Sequence, residues 1–172
     1  MDIRNLDGKD DIQTVAQINA LAWHEAYDDI LPKEFLADLD GDISNSQAED
    51  RFEEIANERS CFLVATDETD TVRGYIYLRW GNETKEFVMD DEAGLKEVYV
   101  EPDYWKRGIG TKLLKAGLSR LPDRIERVKL NTFTENEQGR QFYRSHGFEW
   151  VGSVEIEIAG VEYQTAIYSL RL

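Results

Sequence analysis

The chain has 172 residues, with 35 Asp and Glu against 20 Lys and Arg, for a net charge of −15. That length predicts one domain over residues 1–172, able to bury about 70% of its unfolded surface. The acidity argues against a nucleic-acid partner; no run nears the roughly eighteen apolar residues of a membrane span and no apolar signal core follows the first Met, so a cytoplasmic protein is expected.

A single cysteine, Cys61 in the apolar run SCFLVA, excludes an internal disulfide and reads as buried packing. Excess surface carboxylate is one lever of proteins from salt-loving organisms. A halophilic source is therefore one expectation, and an ordinary acidic protein the other.

In chain order, a first strand is predicted near Asp2–Leu6 and a helix from about Asp10, with Ile12, Val15, Ile18 and Ala22 at helical period. Pro32 suits the first turn of a second helix, PKEFLADL, and Ser44 to Glu58 reads as a third, charged one. Strands follow at Cys61–Thr66 and Val72–Trp80, where aromatic and β-branched residues cluster. The polar segment Gly81–Glu92 reads as a mobile connection or a hairpin tip. A strand to Val100, a helix to about Leu121, a strand at Val128–Phe133 and a helix at Glu135–His146 come next. Two strands, Trp150–Ile158 and Val161–Leu170, close the chain.

The most informative stretch is LKEVYVEPDYWKRGIGTKLLKAGL, from Leu95 to Leu118. Its glycines Gly108 and Gly110 fall where a loop becomes a helix, so unpaired backbone N–H groups and the positive dipole end are available to an anion. Between Asp103 and Asp123 stand Lys106, Arg107, Lys112, Lys115 and Arg120 with no acid, a basic island in an acidic chain. A P-loop is excluded because no glycine lies five residues upstream. The dinucleotide pattern fails at Leu113.

Thr134 and Glu137 match a capping box for the later helix. Asn136 and Tyr143, seven residues apart, should share a face with Gly139 between them. A glycine inside a helix costs roughly 1 kcal/mol against alanine, and close approach of a ligand or another backbone is its natural reason. Phe142 should point toward the core.

Tyr104-Trp105-Lys106-Arg107-Gly108-Ile109-Gly110-Thr111 resembles the acyl-CoA pyrophosphate loop of the GNAT superfamily of N-acetyltransferases. Asn136 through Tyr143, followed by Gly147-Phe148, is similar to that family's N-x-x-[AG]-x-x-F-Y helix. Trp105 and Lys106 depart from the loop pattern, which prefers Gln or Arg and often Gly. The resemblance implies an α/β fold with a mixed, mostly antiparallel sheet of six to seven strands and helices on both faces. It also implies a cleft where the fourth and fifth strands splay.

It implies acetyl-CoA as cosubstrate and acetyl transfer to a primary amine by direct attack; with two histidines and one cysteine, no metal site is expected. The cofactor would be held by Val98, Val100, Trp105, Lys106, Arg107, Gly108, Ile109, Gly110, Thr111, Asn136, Gly139 and Tyr143. Tyr143 would act as general acid. Some members carry a base glutamate where this chain has Gly94, so Glu92 and Glu97 become the candidates, with ordered water as the alternative. Strict strand alternation puts Glu97 on the face opposite Lys96 and Val98.

Trp23 and Tyr27 resemble a W-x-x-x-Y pattern and would wall the pocket of a small-molecule or peptide amine. His24 reads as a surface residue and His146 as a helix C-terminal cap. A catalytically idle acyl-CoA-binding or regulatory domain of the same fold is the competing reading. A nucleotide-binding regulator is disfavoured, since no ribose- or base-reading feature accompanies the loop. A homodimer is one expectation for the assembly, while the acceptor's identity and the oligomeric state are not fixed by the sequence.

Overall fold

The computed structural model describes all 172 residues, Met1–Leu172. The elements are β1 (Asp2–Asn5), α1 (Gly8–Ala26), α2 (Lys33–Asp38), α3 (Asn45–Asn57), β2 (Ser60–Thr66), β3 (Val72–Trp80), β4 (Glu92–Val100), α4 (Ile109–Leu118), β5 (Arg127–Phe133), α5 (Glu137–Ser145), β6 (Glu149–Ile158) and β7 (Val161–Arg171). The strands form a seven-stranded sheet in the order β1-β2-β3-β4-β5-β7-β6. Only β4 and β5 run parallel; their connection carries α4, as a parallel crossover requires.

Strands β2 and β3 are buried on both faces, which is why they read as nearly continuous apolar runs. Cys61, Leu63, Ala65, Ile76 and Leu78 meet Ile109, Leu113 and Leu114 of α4 on one face. Phe62, Val64, Tyr75 and Tyr77 meet Ile12, Val15 and Ile18 of α1 and Ala48 and Ile55 of α3 on the other. The mixed sheet with helices on both faces is the expected one. Leu113 is completely buried, so truncating it to alanine costs about 2–5 kcal/mol. Cys61 is buried as expected, and burial raises the pKa of its thiol.

Two local details differ from the sequence reading. Pro32 is the N-cap of α2 and lies outside its first turn. The T-x-x-E box at α5 does not form: Thr134 N–H donates to Gln164 O, extending the β5–β7 pairing and holding Thr134 out of the helix. Glu137 turns instead to Arg144, 2.6 Å away. Asn136 becomes the N-cap, its Oδ1 accepting from Gly139 N at 3.1 Å.

The sheet opens in its middle. Pairing between β4 and β5 covers Glu92, Ala93 and Gly94 opposite Arg127, Val128 and Lys129, then stops. On its other side β4 pairs with β3, Tyr77 facing Glu97 and Leu78 facing Leu95, so Lys96 is the extra residue of a β-bulge. A bulge bends its strand and sharpens the twist, and β4 leaves β5 at that point. From Leu95 to Val100 the inner edge of β4 has no strand partner.

Candidate acyl-CoA and acceptor cleft

The splayed strands, the start of α4, one side of α5 and the C-terminal half of α1 enclose a cavity of about 660 Å³. Its floor is the stretch Leu95–Val100 and its far wall is Leu130–Phe133 of β5.

One end belongs to the loop before α4. Gly108 has φ +78° and Lys106 φ +61°, two left-handed residues separated by Arg107. This geometry turns the chain sharply into α4. No side chain caps the helix, and no protein acceptor takes the N–H groups of Lys106 through Thr111. Six amides without protein acceptors therefore stand at the positive end of the α4 dipole, the kind of donor set an anion takes. Nothing lies within 4 Å of where a Gly108 Cβ would sit, so its approach is open.

The side chains of this loop are arranged less simply than its main chain. Trp105 lines the cavity, but its indole N–H is committed to Val100 O at 2.6 Å, stapling the loop to the end of β4. Arg107 points elsewhere: it donates to Asp103 O and its guanidinium stands 4.9 Å from the centre of the Tyr104 ring. Of the five basic residues in the island, only Lys106 lines the cavity.

The opposite wall of this end is α5. Gln138, Gln141 and Ser145 line it and were not singled out by sequence; they follow the helical spacing that also brings Asn136 and Tyr143 to the cavity. Gly139 is explained from within the helix. A Cβ there would overlap Nδ2 of Asn136 and sit 3.0 Å from its Cγ. The cap lies across the glycine, with Nδ2 donating to Thr132 Oγ1 at 3.2 Å. His146 is the C-cap residue, its Nδ1 2.7 Å from Phe142 O and its Nε2 3.0 Å from Thr111 Oγ1, tying α5 to the first turn of α4.

Between the ends stands Tyr143. Its ring packs against Phe142, Phe148 and Tyr168, with centroids 5.4, 5.7 and 6.3 Å away. Its hydroxyl has no protein hydrogen-bond partner, and desolvation raises its pKa well above the ordinary phenol value. The group is a neutral O–H donor at physiological pH, lining the cavity and unclaimed.

The other end is the α1 side. Trp23 and Tyr27 form an edge-to-face pair at 5.1 Å, and Tyr27 meets Phe133 of β5 at 5.0 Å. Tyr27 and Tyr99 share a hydroxyl–hydroxyl contact of 3.1 Å. Asn19 donates to the Tyr75 hydroxyl, which donates to Glu97 Oε2 at 2.8 Å.

Glu97 is the one carboxylate lining the cavity. The bulge places Lys96 and Glu97 on the same face, toward Tyr75 and Tyr77, while Leu95 and Val98 face α4. Strict alternation between Lys96 and Glu97 is thus corrected by the extra residue. Glu92 is not brought to the cleft; it is buried, 3.0 Å from Lys129 Nζ, and accepts from Met89 N. Gly94 lies in the paired part of β4, away from the main cavity.

The acetyltransferase (GNAT) family model matches residues 14–148. The chain belongs to this family. The structure is similar to PaiA N-acetyltransferase of Thermoplasma acidophilum in complex with coenzyme A, at 21% identity and TM-score 0.73 over 99% of this chain and 98% of that one. It also resembles YncA of Salmonella typhimurium with its cofactor acetyl-CoA, at 18% identity and TM-score 0.73 over 99% and 93%. A chimera of spermidine N-acetyltransferase SpeG from Vibrio cholerae shares 16% identity, with TM-score 0.71 over 99% and 96%. These likenesses establish the GNAT N-acetyltransferase fold. No helix is long and apolar enough to cross a membrane.

Proposed function

We propose that the protein is an acetyl-CoA-dependent N-acetyltransferase acting on a primary amine. The observation that carries the reading is one continuous cleft with bare helix-start amides at one end, an unclaimed phenol in the middle and a single carboxylate toward the other. Bound acetyl-CoA supplies the thioester whose acetyl group passes to the amine.

The residues divide the work by position. Amides of Lys106–Thr111, with the Lys106 ammonium, hold the pyrophosphate. The unpaired edge of β4 at Val98–Val100 offers backbone groups to the pantetheine arm. An alkylammonium with pKa near 10 has to lose a proton before it attacks. Glu97 receives that proton, directly or through water, held in place by the Tyr75 hydroxyl.

Tyr143 hydrogen-bonds the sulfur as negative charge develops on it. A free thiol titrates near 8.5, and burial pushes this phenol above 10, so full proton transfer from Tyr143 is uphill by more than about 2 kcal/mol. Its role is therefore hydrogen-bond donation, with the final proton drawn from solvent.

The test is a panel of amines with acetyl-CoA, read as CoA released, beside calorimetric binding of CoA. Tyr143→Phe should lower kcat by about 10- to 100-fold with CoA affinity kept. CoA binding without turnover of any amine would replace the reading by that of an acyl-CoA-binding domain.

A further inference from the structure

The charges around the acceptor end run opposite to the protein as a whole. In a chain of net charge −15, the cavity is lined by Lys85, Lys96 and Lys106 against Glu97 alone. Lys106 belongs to the loop before α4. Lys85 and Lys96 belong to the other end, where Lys85 reaches across the splay to Asn131 of β5 and Lys96 Nζ stands 3.9 Å from Glu97 Oε1. Asn131 and Phe133 lie two apart on β5 and share a face, which carries the Lys85 contact toward Phe133, Tyr27 and Trp23.

Orphaned polar atoms point the same way. The buried Trp23 Nε1 and Arg79 Nε have no hydrogen-bond partner, and both are donors. Trp23 lines the main cavity, while Arg79 lines a small adjoining one together with Lys85 and Lys96. Buried donors are ordinarily satisfied, and an acceptor oxygen in the main cavity would satisfy Trp23 Nε1.

We propose that the amine acceptor is a small zwitterion whose anionic oxygens are bound by Lys85, Lys96 and the Trp23 indole N–H while its amino group sits at Glu97. This inference rests on the acetyltransferase reading and gives it a substrate class. Adjacent opposite charges on Lys96 and Glu97 match the adjacent opposite charges of an amino acid or an aminoalkyl phosphonate. Burial lowers the pKa of both lysines, Arg79 adding to the effect, and a bound anion would offset that cost. A polyamine would bring further positive charge against the same lysines and is disfavoured.

The experiment compares amino acids, aminoalkyl phosphonates, the methyl esters of the same amino acids, and spermidine as acceptors for the full chain. The acidic forms should exceed their esters by about tenfold or more in kcat/KM, as expected for one charge-assisted contact. Lys85→Ala should collapse that ratio through KM of the acid, and Lys85→Arg should restore it. Whether carboxylate or phosphonate is better tells which oxyanion the site prefers. Preference for spermidine or for the esters overturns the proposal, as does a Lys85→Ala loss equal for acid and ester.

Should no amine be turned over, the acetyltransferase reading falls separately. The anion site is then read by calorimetric binding of amino acids to the CoA complex, weakened by Lys85→Ala and Lys96→Ala if it exists. Absence of such binding overturns it.

Discussion

Replacing Gly139 by alanine separates two reasons for a glycine in α5: a ligand that must come close, or the helix's own cap. The structure favours the cap, since an added Cβ would displace the Asn136 amide. Displacement loses the cap to Gly139 N, worth about 1 kcal/mol, and the bond to Thr132, worth about 1 kcal/mol. Alanine returns about 1 kcal/mol of helix propensity. Gly139→Ala alone should therefore destabilise by about 1 kcal/mol, or roughly 2–4 °C in Tm for a chain of this size.

Asn136→Ala alone should cost about 2 kcal/mol through the same two bonds. In that background the clash is gone, and adding Gly139→Ala should stabilise by about 1 kcal/mol. The sign reversal is the signature, read from urea unfolding of the wild type, both single variants and the double variant without ligand. Equal destabilisation by Gly139→Ala in both backgrounds would refute the cap explanation.

Lys106 has φ +61°; the left-handed region costs a non-glycine residue about 1–2 kcal/mol, and glycine's extra backbone freedom gives back about 0.5–1. Lys106→Gly should then raise stability by about 0.5–1 kcal/mol in denaturant midpoint while weakening CoA binding most at low salt. Tyr143→Phe should leave unfolding stability within about 0.5 kcal/mol, because its hydroxyl has no protein partner to lose. Tyr27, Tyr75, Tyr99 and Tyr143 all have raised pKa values, chiefly through desolvation. The unfolded chain therefore loses these protons first, so stability should be flat in this respect below about pH 10 and fall as pH rises beyond it. Thermal melts from pH 8 to 12 check this; a Tm unchanged to pH 12 would contradict the burial.

Much of the site was legible because it is built from local pattern. The left-handed turn at Gly108, the bare start of α4, and the i to i+7 relation of Asn136 and Tyr143 follow from backbone preferences over a few residues. The misreadings share a different cause. Thr134 has the right spacing for a cap, but its N–H is claimed by Gln164, thirty residues downstream. Glu92 is a strand carboxylate like Glu97, but Lys129 holds it on the wrong side of the splay. Lys85 sits in a polar connection with no periodic signal and matters only through Asn131 of a later strand.

The sequence by itself determined the helices and strands and the left-handed turn before α4, since hydrophobic period and glycine placement act over short range; the mixed sheet was legible through the family resemblance. Tertiary structure alone decided which carboxylate enters the cleft and which cations line it. Those outcomes depend on one inserted residue at Lys96 and on side-chain contacts between segments distant in the chain, Lys85 with Asn131 and Glu92 with Lys129, and pairing across a sheet leaves no mark in the spacing of either partner.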